Sequence, residues 1–285
     1  MLIASMAIFG TLGPFVRNIP VSSGELALYR ACLAVVMLAA FLILTGRKLP
    51  FASIGKELPV LLFSGAAMGI NWILLFEAYK YTTVSIATLS YYFAPVIVTV
   101  VSPLLFRERL SAKQIVCFVM STIGLVMITG IGNAGGSRDM VGILLGLGAA
   151  SFYAAVILLN KVIKNVEGIH RTFLQFLAAI VVLLPYVLLT GGVTLGNLNA
   201  AGWGNLLIVG LVHTGLTYCM YFTALKELPG QKAAILSYID PLVAVLISVT
   251  VLGEAMTLTQ GIGGALILGF TLLNELPSKT EPRPE

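Results

Sequence analysis

The chain has 285 residues, 58% of them apolar and 10% charged, with a formal net charge of +5. Soluble domains carry roughly 25% charged residues, so a chain with mean hydropathy +1.00 cannot cover a water-facing surface. That disfavours a soluble enzyme, a secreted domain and a nucleic-acid binder.

Crossing a ~30 Å hydrocarbon core takes about 20 mostly apolar residues as helix. Long uninterrupted runs fit helices rather than alternating barrel strands. In chain order such runs fall near 1–16, 24–44, 58–78, 84–104, 111–130, 140–160, 171–190, 202–222, 233–251 and 258–274. They predict an all-α integral membrane protein of ten transmembrane helices. The first run has no basic n-region and no cleavage pattern ahead of Arg17, and is read as a retained, short span. The segment 275–285, rich in Pro and charge, is expected to be a disordered cytoplasmic tail. Cys32, Cys117 and Cys219 stand alone in apolar runs with neither pairing nor ligand spacing, so no disulfide, metal or cofactor is expected.

With a cytoplasmic N-terminus, the inside segments hold thirteen Lys and Arg and the outside segments hold three: Arg17, Lys80 and Arg138. The positive-inside rule then puts both termini in the cytoplasm of a bacterial-type inner membrane.

An offset of 146 residues, without gaps, aligns Gly69 with Gly215, Lys80 with Lys226, Tyr92 with Tyr238, Pro95 with Pro241 and Glu108 with Glu254. The chain therefore reads as two five-helix repeats, 1–130 and 140–274. Five is odd, so the second half enters the membrane inverted. The charges agree independently: loops 45–57 and 105–113 hold three Lys or Arg each, and their counterparts near 191–203 and 251–259 hold none. Inverted repeats are characteristic of secondary transporters, with the substrate site near midplane between the halves. A duplicated scaffold or lipid scramblase is the alternative.

The stretch Glu77 to Pro95, then Leu105-Phe-Arg-Glu-Arg-Leu-Ser111 and Gln114, is echoed by Ala224 to Pro241, Leu252-Gly-Glu-Ala-Met-Thr257 and Gln260. With Phe9-Gly-Thr-Leu-Gly-Pro14, these segments make the sequence resemble the EamA-type members of the drug/metabolite transporter superfamily. The resemblance covers nearly the whole chain and implies ten helices, a central cavity lined by the first four helices of each half, and alternating access. It implies no single substrate. Asp240 departs from its repeat mate, Ala94.

Ionisable residues inside a membrane are functional candidates by default. Asp240, beside Pro241 at the centre of its span, can hold an ammonium or exchange a proton; its alternative role is bonding the backbone of a broken helix. Arg30 offers a planar fork for a carboxylate or phosphate, or else snorkels outward or neighbours Glu25. His213 is a titrating group or a packed hydrogen-bonder. Glu77 reads as a rim charge or a partner of Lys80. Tyr91, Tyr92 and Tyr238 fall near midplane, joined by Trp72, Asn71 and Ser237 as substrate-binding candidates, and Tyr153, Tyr218 and Tyr221 enlarge the aromatic set. As repeat mates, Tyr92 and Tyr238 are expected to face each other.

Glu108 and Glu254 read as structural acids near helix starts, where Ser111/Gln114 and Thr257/Gln260 form capping boxes. The stripes Gly142/Gly146/Ala150 and Gly261/Ala265/Gly269 read as helix-packing surfaces, the last also as a homodimer face. No nucleophile constellation, phosphate loop or ATP-hydrolysing domain appears, so a membrane-embedded enzyme is disfavoured and any driving force is a gradient. The expected activity is secondary transport of a small polar metabolite by alternating access, best fitted by an amino acid or related zwitterion. Export follows from the resemblance, and proton coupling would run through Asp240. The rival is a facilitator or exporter of neutral or cationic drugs or metabolites. Membrane lipid is the surrounding partner, and nucleic acid is not expected to be one.

Overall fold

The computed structural model describes residues 1–47, 51–106, 111–129, 137–166, 168–225 and 236–276. Glu108, the charges at Lys48, Arg107, Arg109, Lys226, Lys232, Lys279 and Arg283, and most of the tail lie outside them. Among the described residues there are helices and no strands. They are α1 (Leu2–Gly10), α2 (Leu12–Arg17), α3 (Ser23–Leu44), α4 (Phe51–Tyr81), α5 (Val84–Tyr91), α6 (Ala94–Phe106) and α7 (Ala112–Thr129). Then follow α8 (Ser137–Val162), α9 (Gly168–Thr190), α10 (Ala200–Leu207), a π-helical segment (Ile208–Leu216), α11 (Thr217–Leu225), α12 (Ile239–Thr250) and α13 (Leu258–Glu275).

Among the described residues, six helical stretches are long and apolar enough to cross a membrane: 23–44, 54–81, 84–106, 138–162, 168–190 and 200–224. Shorter apolar helices occupy Leu2–Arg17, Ala112–Ile128 and Ile239–Thr250. This is the architecture of a multi-pass membrane protein. Helix α4 starts seven residues before the predicted run, because hydropathy sees only the apolar part of a helix. Its polar first turns are useful outside the hydrocarbon: Glu57 accepts the backbone N–H groups of Lys164 and Asn165 and fastens the α8–α9 connection. At 1.5 Å per residue, 31 residues span about 46 Å, more than the core requires.

Helix α4 packs on α8 and α9, α3 packs on α9 and the π segment, and α13 packs on α7. On α3, Ala27, Ala31, Ala34 and Leu38 recur at helical spacing and are wholly buried. Both predicted capping boxes form, Ser111 with Gln114 and Thr257 with Gln260. Gly142 and Gly146 of the first stripe meet Thr82 and Ser90, as a close-packing surface should. The second stripe needs correction. On α13 the close approach is made by Gly263, opposite Gly124, and by Gly264 against Leu89; a Cβ on Gly269 would meet nothing within 4 Å. Residues 261, 265 and 269 therefore lie off the face that touches α7.

Candidate functional site

Three prolines determine where the site's backbone opens. Proline has no N–H and its ring crowds the carbonyl four residues back, so helices break there. Pro14 lies four residues after Gly10, and the first helix breaks at Thr11. Pro95 stands four after Tyr91, and the chain turns at Tyr92–Phe93 between α5 and α6. Pro241 stands four after Ser237, with a turn at Tyr238 ahead of α12. The second and third breaks are at matching places in the two sequence repeats. Irregular backbone at membrane depth is tolerated where it borders a protein-lined cavity, and all three breaks border the same one.

That cavity has a volume of about 540 Å³ and is lined by Arg30, Trp72, Tyr91, Tyr92, Tyr218 and Asp240, among others. Asp240, in the first turn of α12, accepts a 2.5 Å hydrogen bond from the Tyr92 hydroxyl. Its carboxylate thus joins the broken helix of one repeat to that of the other. Arg30, 4% exposed, holds its guanidinium 4.7 Å from the Trp72 ring centre and 5.5 Å from that of Phe76. Its Nε donates to Thr214 Oγ1 at 2.7 Å, and its two terminal nitrogens make no hydrogen bond to a described residue. Ion pairs among the described residues are Arg17–Glu254 and Glu77–Lys80. Arg30 and Asp240 therefore border one cavity without neutralising each other directly.

The other sequence candidates divide. Tyr91 stacks on Tyr153 at 5.1 Å and meets Tyr92 edge-on at 5.7 Å, and all three rings line the cavity. Asn71 lines it too while donating to the Ala149 carbonyl at 2.6 Å, which ties α4 to α8. Trp72 packs edge-on against Phe176. Ser237 and Tyr238 lie on the wall with Tyr92, so both repeat-mate tyrosines border the one cavity; Tyr92 bonds Asp240, and among the described residues no hydrogen bond or ring contact joins Tyr92 to Tyr238.

His213 is not brought to the cavity. Its ring packs against Phe15 and bonds Thr11 Oγ1 at 2.9 Å and the Ile208 carbonyl at 3.3 Å, so it is a packed hydrogen-bonder. Arg30 neither snorkels nor pairs with Glu25, whose carboxylate is occupied by Ser22, Tyr29 and Thr194. Glu77 bonds Lys80 at 2.9 Å and accepts from Ser23, as a rim charge should.

One end of the cavity is closed by contacts that the sequence reading assigned differently. Glu254 was expected to serve the start of α13. Instead it pairs with Arg17 at the end of α2, accepts from Ser248, and accepts the Val84 N–H of α5 at 2.8 Å. A carboxylate at a helix N-terminus is stabilised by the free N–H groups and dipole there. Arg17 also donates to the Tyr79 and Thr82 carbonyls, at 3.1 and 2.8 Å. Tyr79 and Val84 line the cavity beneath this cluster, and exposed Glu275 lines it at the far end of α13. The cavity is thus shut at the Arg17 end and reaches the surface at the opposite end.

A family model described as "EamA-like transporter family" matches residues 1–130 and, again, 140–275. The chain is 28% identical over 268 residues to the uncharacterized transporter YxxF of Bacillus subtilis (strain 168), covering 93% of this chain and 85% of that one. It is 30% identical over 279 residues to an uncharacterized transporter of Archaeoglobus fulgidus, covering 95% and 94%. To the threonine/homoserine exporter RhtA of Salmonella typhimurium (strain SL1344) it is 24% identical over 228 residues, covering 80% and 74%. A solved crystal structure superposes with a TM-score of 0.67 over 95% of both chains at 17% identity, a likeness of fold.

Proposed function

Because this chain belongs to the EamA-like transporter family, we propose that it carries a small zwitterion, best fitted by an amino acid, across the cell membrane by alternating access. The observation that carries this reading is the unpaired placement of Arg30 and Asp240 around one aromatic-walled cavity. A zwitterion offers a carboxylate to the guanidinium fork and an ammonium to the carboxylate. It thereby compensates two charges that hydrocarbon surroundings penalise. An amine alone leaves Arg30 unsatisfied, and an acid alone leaves Asp240 so. The similarity to a threonine/homoserine exporter supports both the substrate class and export.

The architecture in this proposal is ten spans in two inverted five-helix halves, with both termini cytoplasmic. The double family match and the paired proline turns support it. In that orientation the Arg17–Glu254 cluster lies on the outer side and the cavity opens inward, ready to load an exported substrate. The Tyr92–Asp240 hydrogen bond supports Asp240 as the proton-coupling group: taking a proton there weakens the link between the halves and releases an ammonium.

A second reading, export of neutral or cationic compounds, draws on the aromatic wall, because tyrosine faces attract cations. Thermal stabilisation separates the two, since a ligand of the folded state raises its apparent stability by mass action. The twenty L-amino acids and a set of hydrophobic cations would be tested against wild type, Arg30→Gln and Asp240→Asn. Amino-acid hits lost in both variants support the proposal. Hits confined to cations and indifferent to Arg30 favour the second reading.

A further inference from the structure

The third span of the second repeat is not a uniform α-helix: Ile208–Leu216 is wound as a π-helix. Such windings are rare and gather at functional sites. Three side chains follow the wider turn and reach the carbonyl five residues back. Thr214 Oγ1 donates to Val209 O at 2.8 Å, Thr217 Oγ1 donates to Val212 O at 2.7 Å, and His213 Nδ1 lies 3.3 Å from Ile208 O.

In an α-helix, five residues advance by about 500°, which leaves the fifth roughly 140° away from the first. A turn closed by i→i+5 bonds brings such residues back towards one face. Gly210 and Gly215 are five apart, and both meet α3: an ideal Cβ would lie 2.5 Å from Leu33 Cβ at the first and 2.6 Å from Met37 Cβ at the second. No side chain larger than hydrogen fits at either place without displacement. Thr214, wholly buried beside Gly215, points to the same helix and accepts the Arg30 Nε hydrogen bond.

We propose that the π-helical segment is the mount of Arg30 and that Thr214 is its positioning residue. The Thr214 hydroxyl has one proton, and Val209 O takes it. The oxygen is therefore left as a fixed acceptor for Arg30 Nε–H. With Nε held there and the guanidinium plane resting over Trp72, the two terminal nitrogens form a fork of defined direction at the cavity wall. The group such a fork suits is a planar carboxylate. Identifying that carboxylate with an amino acid's rests on the function proposed above; the mounting of Arg30 does not.

The test reads Arg30 through its neighbour. Trp72 and Trp203 are the two tryptophans, so in a Trp203→Phe background the emission reports the indole beneath the guanidinium. In the purified full chain without ligand, Thr214→Val should shift Trp72 emission in the direction that Arg30→Gln shifts it. Thr214→Ser should keep the parent spectrum. Thr214→Ala, too small to clash, carries the same expectation as valine if the valine variant does not fold. Emission unchanged in the folded valine or alanine variant overturns the proposal.

L-Phenylalanine and phenethylamine, matched to the cavity's rings and differing by the carboxylate, are then titrated. Thr214→Val should weaken L-phenylalanine about tenfold, the scale of one charge-assisted hydrogen bond, and leave phenethylamine unchanged. Equal weakening of both overturns the role in carboxylate binding. If L-phenylalanine leaves wild-type emission unaltered, the ligand-free spectra still decide the mounting, and the failure falls on the substrate reading.

Discussion

Arg30 and Asp240 look alike in the sequence, each a lone charge in an apolar run, and the structure gives them different surroundings. Arg30 sits over the Trp72 ring and donates to Thr214, whereas Asp240 is held by a single tyrosine hydroxyl. Asn71 has another task, since its 2.6 Å bond to the Ala149 carbonyl joins two helices. Replacing it with Leu is expected to cost about 0.6–2 kcal/mol, the range for interhelical hydrogen bonds in membranes, measured as a lower denaturation midpoint. His213→Gln is expected to keep most ligand binding, because the ring lies behind the cavity wall; a calorimetric titration checks this. The membrane cost of a charge made Arg30 and Asp240 legible in the sequence. Thr214 was not, because a hydroxyl in an apolar helix carries no signal until its helix is known to be π-wound. Nor was Arg17–Glu254, whose partners are 237 positions apart by their residue numbers.

At the scale of the element, the prolines were the most readable feature. Pro241 marked the broken helix beside Asp240, while its repeat mate Pro95 lay unremarked within the run 84–104; the turns at Tyr92–Phe93 and Tyr238 lie where a missing N–H requires them. The π segment escaped hydropathy because that measure counts apolar residues and ignores winding; the spacing of Gly210 and Gly215 was its one available trace. Small-residue stripes were similarly ambiguous, since Gly263 and Gly269 are equally small and face different ways. Gly263→Val, forced against the Gly124 backbone, is expected to destabilise by about 1–3 kcal/mol. Gly269→Val, with open space before it, is expected to be near neutral. Paired thermal melts in detergent check both.

For the whole molecule, the cavity has one closed end and one open end, which under the alternating access proposed above is one of two states. The cluster of Arg17, Glu254, Ser248 and the α5 N-terminus joins the two sequence repeats. Breaking it should favour the state open at that end. A cysteine introduced by Thr88→Cys, on the cavity wall between α5 and α4, reports this in a background with Cys32, Cys117 and Cys219 replaced by Ala. Glu254→Gln is expected to speed its labelling by an impermeant thiol reagent applied from the Arg17 side, and an unchanged rate would refute the cluster as a closure. Both the membrane class and the repeat were readable from the sequence, because apolar length and a fixed offset are one-dimensional properties. The state adopted was not, because it depends on contacts between the halves.

The most direct measurement compares three matched ligands, an amino acid found in the stabilisation screen, its decarboxylated amine and its deaminated acid, by calorimetric titration of wild type, Arg30→Gln and Asp240→Asn. The account predicts that wild type prefers the amino acid to both fragments. Arg30→Gln should abolish the preference over the amine, and Asp240→Asn the preference over the acid. If both variants retain both preferences while folded, Arg30 and Asp240 do not hold the two ends of the substrate, and the zwitterion reading is wrong.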